Sequence, residues 1–414
     1  MVKKYISNPL CLSVFITVIF VYSHFSYIPV KNQFISIIPK SEICLINGII
    51  ESSPSKCSSG KYYSAILSAT SCASDLLSSE AEGKIRVYLP TDYIESFFPG
   101  RLYSKAKASN IVETGSNVFL SGKFSDSVFF CDRVISSNLE YKGNSFFRIL
   151  RAKGRLKFKR MMYSWGDAGG LLLALLSGAR EYTEKSVSDN FRLAGLSHVL
   201  ALSGMHLSMF SGLALFLGAR LGRKKIALIL QLSAIICFVW FAGFSPSLLR
   251  AFICVSVIML QGILNIEKSD MLTVLCFSFF VQTVISPNDL CDTGFILSYG
   301  ALLGILITGS FFRKVYGFVM PLKLASSFSA STSAQLVTMP VSAKLFGMIT
   351  PVGIVSSVCV SPFITVFIYS GLFFIILGLI LSPFERMGEF FMKIQYNLIK
   401  NMVDVFGKVP PVIF

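Results

Sequence analysis

Charged side chains are scarce in this chain and make up only 14% of its 414 residues. Hydrophobic residues account for 53%, and 38 of them are phenylalanine. A soluble protein of this length does not combine so little charge with so much apolar side chain. The composition therefore excludes a soluble protein and predicts a polytopic α-helical membrane protein.

Several chemical motifs are also missing. The chain has three histidines, ten cysteines and no Cys-x-x-Cys pair, and no Cys/His cluster has the spacing of a metal site. His-Glu-x-x-His, the P-loop and the dinucleotide fingerprint are absent from the sequence. We therefore predict no metal, no cofactor and no ATP-driven pump. Cys57 and Cys72 form a candidate disulfide if their region faces an oxidising compartment, although sequence alone does not fix the pairing.

Acidic residues are few, with 22 Asp and Glu against 38 Lys and Arg. Part of this basic excess is expected in cytoplasmic loops, so it does not by itself indicate nucleic-acid binding. Hydropathy and charge divide the chain into five predicted segments. These are a transmembrane helix at 1–30, an extracytoplasmic β domain at 31–146, a basic amphipathic interfacial segment at 147–166, a transmembrane domain at 167–382 and a cytoplasmic amphipathic tail at 383–414.

The polar segment at 31–146 contains short apolar runs between Gly, Pro, Asn and Ser turns. The predicted strands are Cys44–Ile50, Ile85–Leu89, Leu102–Ala106, Val118–Phe124 and Val128–Ile135. So many short strands predict a small barrel or sandwich, and an OB-like barrel of this kind often binds single-stranded nucleic acid. Because Lys3 and Lys4 precede one apolar run, Leu10–Ile28, we expect a cytoplasmic N-terminus and a β domain outside the cell membrane.

A strongly basic stretch follows the β domain, and it has seven Lys or Arg residues and no acid between Arg148 and Arg160. Its apolar residues fall near one helical face, which predicts an amphipathic helix at the membrane interface. One interpretation is a collar that binds lipid headgroups. The other is a DNA-binding segment, since basic residues interleaved with aromatics attract phosphates and stack bases. The candidate DNA-binding residues are Arg148, Arg151, Lys153, Arg155, Lys157, Lys159 and Arg160.

The remaining apolar runs predict the membrane helices. Ala168–Ser177 is too short to span, which is typical of a re-entrant or half helix. The candidate spans are Ile226–Gly243, Ser247–Leu264, Met271–Ile285, Thr293–Gly309, Ser326–Phe346 and Val352–Leu381, the last long enough to be two pieces broken at Ser361-Pro362. With residue 190 outside, alternating spans leave Ser245-Pro246 and Pro287–Asp292 outside. They place the basic residues near 223–225, 313–314, 323 and 386 in the cytoplasm, as the positive-inside rule requires.

One further stretch, Leu196–Gly222, is apolar enough to span a bilayer and yet contains two of the three histidines. Gly204, Ser208 and Gly212 fall four apart, so they share one helical face and let another helix approach closely. Polar groups at membrane depth usually face a bundle interior or a wet cavity. We therefore expect this helix to lie deep in the bundle beside something hydrated.

Ser203 and His206 lie three residues apart in the same stretch, on a neighbouring face of the helix. A nucleophile and base could be arranged in this way. However, no acidic residue lies nearby in the span and no Gly-x-Ser-x-Gly elbow exists in the chain. The sequence therefore predicts a protein that is not an enzyme.

The stretch Gly243–Arg250, with the sequence GFSPSLLR, has the pattern of a helix start, with Ser245 as N-cap and Pro246 in the first turn. Arg250 is then on the unfavourable side of the helix dipole, since cations prefer C-termini. A cation beside free N–H groups makes an anion site. The alternative is that Arg250 extends to lipid phosphate.

Two further elements contain polar residues inside apolar runs. Asp292 precedes a span as a predicted N-cap, and Ser298 lies two turns into it. Gln335, Thr338 and Pro340 lie in a Ser/Thr-rich span, where proline kinks the helix and frees a carbonyl group. A kinked, hydroxyl-lined helix suits a water-filled path, and a packed Ser/Thr helix is the equally open alternative.

The run Ala194–His206, with the sequence AGLSHVLALSGMH, closely resembles the signature of the ComEC competence family. Weaker matches follow the family's order. They are Leu171–Gly178, GFSPSLLR at Gly243–Arg250, Asp292–Ser298, and Gln335–Pro340 with the following Leu345-Phe346-Gly347. The resemblance covers roughly residues 1–382 and implies an inner-membrane channel that takes up single-stranded DNA during natural transformation. It also implies that Ser203, Gly204, His206, Arg250, Asp292, Ser298, Gln335, Thr338 and Pro340 are pore or structural residues.

The resemblance implies partners as well. They are single-stranded DNA, membrane lipids, a DNA-receptor protein and cytoplasmic DNA-binding or motor proteins. Many members carry a C-terminal metallo-β-lactamase-like domain, and this sequence has no His-x-His-x-Asp-His motif. We therefore expect a form without that domain, which either works with a separate nuclease or receives single strands that are already made. The rival hypotheses are a secondary transporter of a small anion, with Arg250 as its binding charge, and a non-transporting membrane scaffold.

Overall fold

The computed structural model describes most of the chain. The described residues are 14, 34–52, 54–57, 60–75, 77–95, 112–138, 146–220, 224–243, 245–380 and 383–413. The predicted N-terminal helix at 1–30 lies outside these residues, apart from residue 14. The predicted strand Leu102–Ala106 lies outside them as well.

Short strands form the N-terminal domain. They are β1 (Ile35–Ser36), β2 (Leu45–Ile50), β3 (Ser55–Lys56), β4 (Tyr62–Ala73), β5 (Ser78–Glu82), β6 (Lys84–Pro90), β7 (Asn117–Ser125) and β8 (Val128–Asn138), with a short helix α1 (Thr91–Glu95) after β6. Among them β2, β4, β6, β8 and β7 form a closed ring, because β4 pairs with both β2 and β6 while β8 pairs with β6 and β7. Only the β6–β8 pair within this ring is parallel.

The ring is a five-stranded barrel with the OB-like architecture that the sequence predicts. Alternate side chains on each strand point inward and form its core, among them Ile46, Tyr63, Val87 and Phe129, none of which is exposed. The predicted strands at 44–50, 85–89, 118–124 and 128–135 correspond to β2, β6, β7 and β8. Sequence reasoning missed β4, which is the longest of the described strands.

The candidate disulfide is not formed, because both cysteines are free thiols in the structure. The backbone N–H of Cys57 bonds the carbonyl of Tyr62 at the start of β4, whereas Cys72 lies near the end of that strand. Ten residues of strand separate these points, or about 33 Å at 3.3 Å per residue. A disulfide requires Cα atoms within about 7 Å, so this pairing is wrong.

The rest of the described chain is helical. The helices are α2 (Phe146–Ser164), α3 (Gly166–Ser177), α4 (Lys185–Leu193), α5 (Ser197–Leu200), α6 (Gly204–Ala219), α7 (Lys224–Ala242), α8 (Pro246–Leu264), α9 (Met271–Ile285), α10 (Thr293–Gly317), α11 (Leu322–Phe346), α12 (Gly353–Ile380) and α13 (Pro383–Gly407). Of these, α7, α8, α10 and α12 are long and apolar enough to cross a membrane, and α3, α6 and α9 are shorter apolar helices. The protein is thus a multi-pass membrane protein with an N-terminal β domain.

The half helix predicted at Ala168–Ser177 is α3, and each of those ten residues is buried. It lies in the largest apolar core of the described helices, together with residues of α2, α12 and α13. By contrast, the predicted break at Ser361-Pro362 is wrong. Helix α12 continues through Pro362, and Ser361 Oγ donates to the carbonyl of Ser357.

The segment predicted as a cytoplasmic tail forms α13 and a short strand. Helix α13 buries Met392, Tyr396, Ile399 and Val403 in the core. The strand β10 (Val412–Ile413) then pairs with β9 (Met348–Ile349), which follows the C-terminal end of α11. Lys323 lies at the opposite end of α11, whose 25 residues extend about 37 Å. Lys323 and the strand pair β9–β10 therefore lie at opposite ends of α11.

Candidate functional site

We predicted that the stretch at 196–222 forms one continuous helix. The structure shows instead that it breaks at residues 201–203, between α5 and α6. Ser203 has an extended backbone and is the N-cap of α6. Its backbone N–H donates to His206 Nδ1 over 3.2 Å, and its Oγ lies 3.4 Å from the same nitrogen. The His206 ring is fully buried, and its Nε2 has no hydrogen-bond partner among the described residues. These two predicted site residues thus form a helix cap.

Gly204 allows α6 to approach α8 closely. A Cβ atom at Gly204 would lie 3.3 Å from the Cβ of Ala251 and 3.7 Å from Nη2 of Arg250. Of the three small residues predicted to permit close helix packing, Gly204 therefore does so, and it lies beside Arg250. The exposed Ser208 is not part of this contact.

Arg250 lies in the first turns of α8, which begins as predicted. Ser245 is the N-cap, and its Oγ accepts the N–H of Leu248. The guanidinium Nη1 donates to the backbone carbonyl of Ser298 over 2.9 Å, and the guanidinium carbon lies 5.8 Å from the centre of the Tyr299 ring. The structure therefore brings Gly204, Arg250 and Ser298 together from three separate helices.

The charge of Arg250 is not matched by an acid. In the described part of the chain no carboxylate pairs with it, and its buried Nε has no hydrogen-bond partner. A half-buried cation with one carbonyl partner and one aromatic face keeps most of its capacity to bind an anion. In a membrane domain, such a group makes Arg250 a candidate functional site.

A buried polar network supports Tyr299 and was missed by sequence reasoning. Gln282 is fully buried on α9, and its Nε2 donates to the carbonyl of Pro246 over 3.1 Å and to Asp289 over 2.9 Å. Its Oε1 accepts the hydroxyl of Tyr299, which also lies 3.1 Å from Ser278 Oγ. The sequence signal that could have identified this network is Gln282 itself, a glutamine within the apolar run Met271–Ile285.

Asp292 caps α10, as predicted, and its Oδ1 accepts the N–H groups of Gly294 and Phe295. The hydroxyl of Ser247 donates to the Gly294 carbonyl over 3.1 Å. This contact ties the start of α10 to the start of α8. Asp292 therefore positions the helix that presents Ser298 and Tyr299 to Arg250.

The predicted residues on α11 do not come together: Gln335 lies beside Gly353, which packs against Gly195, and Thr338 lies beside Gly300 of α10. A Cβ atom at Gly353 would lie 2.5 Å from Nε2 of Gln335 and 3.3 Å from the Cα of Gly195. Thr338 donates its hydroxyl to the carbonyl of Ala334. The exposed Pro340 lies inside α11, which continues to Phe346.

The basic segment forms helix α2, and the structure corrects two of its assignments. The side chains of Arg155 and Lys159 are only 2% and 3% exposed, so they are not available to DNA. Arg155 Nε lies 3.1 Å from Glu113 of the β domain, and its Nη1 donates to the carbonyls of Phe241 and Ala242 at the end of α7. A cation at these last carbonyls is favourably placed with respect to the helix dipole.

Lys159 completes a buried ion network at the junction of the two domains. Its ammonium group pairs with Glu113 and also with Glu181, which follows α3. Burial alone would raise the pKa of Glu113, but Arg155 and Lys159 hold that pKa well below its ordinary value. Burial lowers the pKa of Lys159, and the two glutamates more than reverse this. Glu113 and Lys159 are thus charged at neutral pH, and the ion network fixes the barrel to the helices.

The other basic residues of α2 differ in exposure. Arg151 is half-buried, and its Nε donates to the carbonyl of Phe241 over 3.4 Å. Lys153, Lys157 and Arg160 are exposed, whereas the side chain of Arg148 lies outside the described part of the structure. Three of the seven candidate DNA-binding side chains therefore reach solvent in the described structure. Within the described ranges, no three His, Cys, Asp or Glu side chains come together as a metal site.

Comparison with known proteins places the helical part of the chain in a family. The model of the family described as "Competence protein" matches residues 175–412, which is more than half of the chain. ComE operon protein 3 of Bacillus subtilis (strain 168) is 29% identical over 245 residues. That match covers 58% of this chain and 31% of the relative, so the chain spans about a third of that protein's length. No solved structure matches the chain. The chain belongs to the competence protein family.

Proposed function

We propose that this protein conducts single-stranded DNA across the cytoplasmic membrane during natural transformation. The observation that carries the proposal is Arg250, a cation inside the helical domain with no carboxylate partner among the described residues. Its position where α6, α8 and α10 meet suits transient contact with successive backbone phosphates. Family membership supports the same assignment.

The domain junction supports one orientation of the protein in the membrane. Arg155 fixes the β domain to the C-terminal end of α7, whose other end carries Lys224 and Lys225. Nineteen helical residues extend about 28 Å, so these lysines lie across the membrane from the β domain. The positive-inside rule then puts the lysines in the cytoplasm and the β domain outside.

In this orientation the end of the described chain is also outside. Arg313, Lys314 and Lys323 are cytoplasmic at the turn between α10 and α11, and β9 and β10 lie at the opposite end of α11. Lys400 of α13 pairs with Glu184, three residues from the junction residue Glu181. This contact supports placing the end of α13 beside the β domain.

The proposed partners are a DNA-receptor protein outside, membrane lipids around the helices, and cytoplasmic DNA-binding or motor proteins that pull the strand inward. A separate nuclease would supply single strands. The protein itself acts as a channel and not as an enzyme in this proposal, because the Ser203–His206 pair has the geometry of a helix cap.

A transport assay tests the proposal. Fluorescent single-stranded DNA is supplied to liposomes, and to cells that depend on this protein, with duplex DNA and a small organic anion as controls. We expect Arg250→Gln to reduce single-strand entry at least tenfold and Arg250→Lys to retain part of it. Arg313→Gln, which changes a cation at the end of α10, serves as the matched control. Unchanged entry in Arg250→Gln, or anion flux without DNA entry, would contradict the proposal.

A further inference from the structure

An aromatic cluster lies on the outside of the β barrel and is not used by the conducting helices. Tyr62 of β4, Tyr88 of β6 and Phe130 of β8 contact each other, with ring centres 4.9–6.2 Å apart. Their neighbours Tyr63, Val87, Leu89, Phe129 and Cys131 point inward and form the barrel core. The three rings are therefore not needed to fill the core, and each is half-buried at the surface.

Strand register shows that two of these rings, Tyr88 and Phe130, belong to one continuous row across the sheet. Ser64 of β4 pairs with Tyr88 of β6, which pairs with Phe130 of β8, which pairs with Lys123 of β7. Directly paired residues share a sheet face, so the row presents two rings between a hydroxyl and an ammonium group. The hydroxyls of Tyr62 and Tyr88 make no hydrogen bond within the described part of the chain, which leaves them available to a ligand.

Positive charge flanks the cluster. Arg86 precedes Tyr88 by two residues on the same face of β6, and Lys123 lies opposite Phe130. Both are exposed, and neither pairs with an acid among the described residues. Asp132, two residues beyond Phe130, is the acidic side chain at this edge. Aromatic rings between unpaired cations match a ligand that has flat apolar rings and a polyanionic backbone.

The cluster also lies near the conducting helices. Lys84, two residues before Arg86 on the same face of β6, interacts electrostatically with Asp289. Asp289 bonds Gln282, which holds Tyr299 against Arg250. The hydroxyl of Tyr63, whose ring fills the barrel core next to Tyr62, donates to the carbonyl of Glu181 in the helical domain. The strands that carry the rings therefore adjoin the helical domain.

We propose that the outer face of β4, β6 and β8, formed by Tyr62, Tyr88 and Phe130 with Arg86 and Lys123, binds single-stranded DNA by stacking unpaired bases. The choice of ligand rests on the proposed function. The site itself is separate from Arg250, so the two proposals fail in different experiments. The competing explanation is that the rings lie in the lipid interface, where tyrosine is common.

The test measures binding of a labelled oligothymidylate to the full chain in nanodiscs. Tyr88→Ala and Phe130→Ala should each weaken binding about 5- to 10-fold, because each removes one base stack. Tyr88→Phe should bind like wild type, and Phe119→Ala serves as the control for an aromatic residue elsewhere on the barrel surface. An abasic strand of equal charge should bind weakly to wild type and lose nothing further in the variants. In an Arg250→Gln background, where transport already fails, Tyr88→Ala should still weaken binding by the same factor as in the wild type.

Tyr88→Trp distinguishes the lipid explanation. Its fluorescence should change when the oligothymidylate is added and should not be quenched by brominated lipids in the nanodisc. Quenching by lipid without a response to DNA would overturn the proposal. Wild-type affinity in both Tyr88→Ala and Phe130→Ala would also overturn it, whatever Arg250→Gln does to transport.

Discussion

The domain junction and the Arg250 site both withdraw basic side chains from solvent, fully at the junction and partly at Arg250, and their surroundings differ in whether an acid matches the charge. At the domain junction, Arg155 and Lys159 meet Glu113 and Glu181, so every cation has an acidic partner. In the helical domain, Arg250 has a carbonyl and an aromatic ring instead. A balanced network makes a fixed joint, because its charges satisfy each other. A cation without an acidic partner can still bind an anionic ligand.

The largest expected effect comes from removing one carboxylate of the buried ion network at the domain junction. Glu113→Gln would leave Arg155 and Lys159 buried with one carboxylate between them. Removing one partner of a buried ion network typically costs about 3–5 kcal/mol. We expect a loss of this size in the free energy of unfolding, measured by denaturant titration of the detergent-solubilised protein. Glu51→Gln removes the partner of Lys84 in an exposed pair and should cost less than about 1 kcal/mol. Equal losses in both variants would refute the comparison.

Low pH should weaken the same ion network at the domain junction. The folded-state pKa of Glu113 is held far below that of an unfolded glutamate, which is about 4.3. A lowered pKa contributes stability that is fully present above about pH 4.3 and is lost as the pH falls further. We therefore expect the free energy of unfolding to decline below pH 4 in the wild type, measured by the same titration. The decline should be shallower in Glu113→Gln, and parallel pH curves would contradict the assignment.

The sequence predicted the barrel and the membrane helices, because strand alternation and long apolar runs are local signals. It missed β4 because the inward residues of this strand mix Tyr63 and Leu67 with the small Ala65 and Ala69, which weakens the apolar alternation. The break before α6 was missed because apolar residues predominate on both sides of residues 201–203. The sequence did not predict the cap at Ser203, because the usual partner of serine in a capping box is glutamate or glutamine and here it is His206.

The burial of Arg155 and Lys159 could not be predicted from the local sequence of the basic segment. Glu113 lies 42 residues before Arg155 in the chain, and nothing in α2 itself indicates that an acid from another domain will cover two of its cations. The meeting of Gly204, Arg250 and Ser298 also depends on helix packing over long separations. Only the family resemblance pointed to those positions together, and it carried no information about Gln282.

The same substitution at the two sites sharpens the comparison. Arg155→Met should lower the free energy of unfolding by about 3 kcal/mol or more, because Glu113 loses a partner. Arg250→Met should change it by less than about 1 kcal/mol, because no acid is left unpaired in the described structure and partial desolvation of the cation was itself costly. Denaturant titration of both variants, beside the transport assay, measures this. A large loss of stability in Arg250→Met would mean that the cation has a structural role.

The smallest effect is expected at the helix cap of α6. In His206→Gln, the amide oxygen can still accept the Ser203 N–H, since glutamine is a usual residue at this position of a capping box. In His206→Ala that acceptor is lost, at a cost of about 1 kcal/mol. If the ring serves only as a cap, DNA uptake should follow stability, so His206→Gln remains within about twofold of wild type. A severe loss of uptake in a stable His206→Gln protein would instead place the unpartnered Nε2 on the DNA path and extend the Arg250 site along α6.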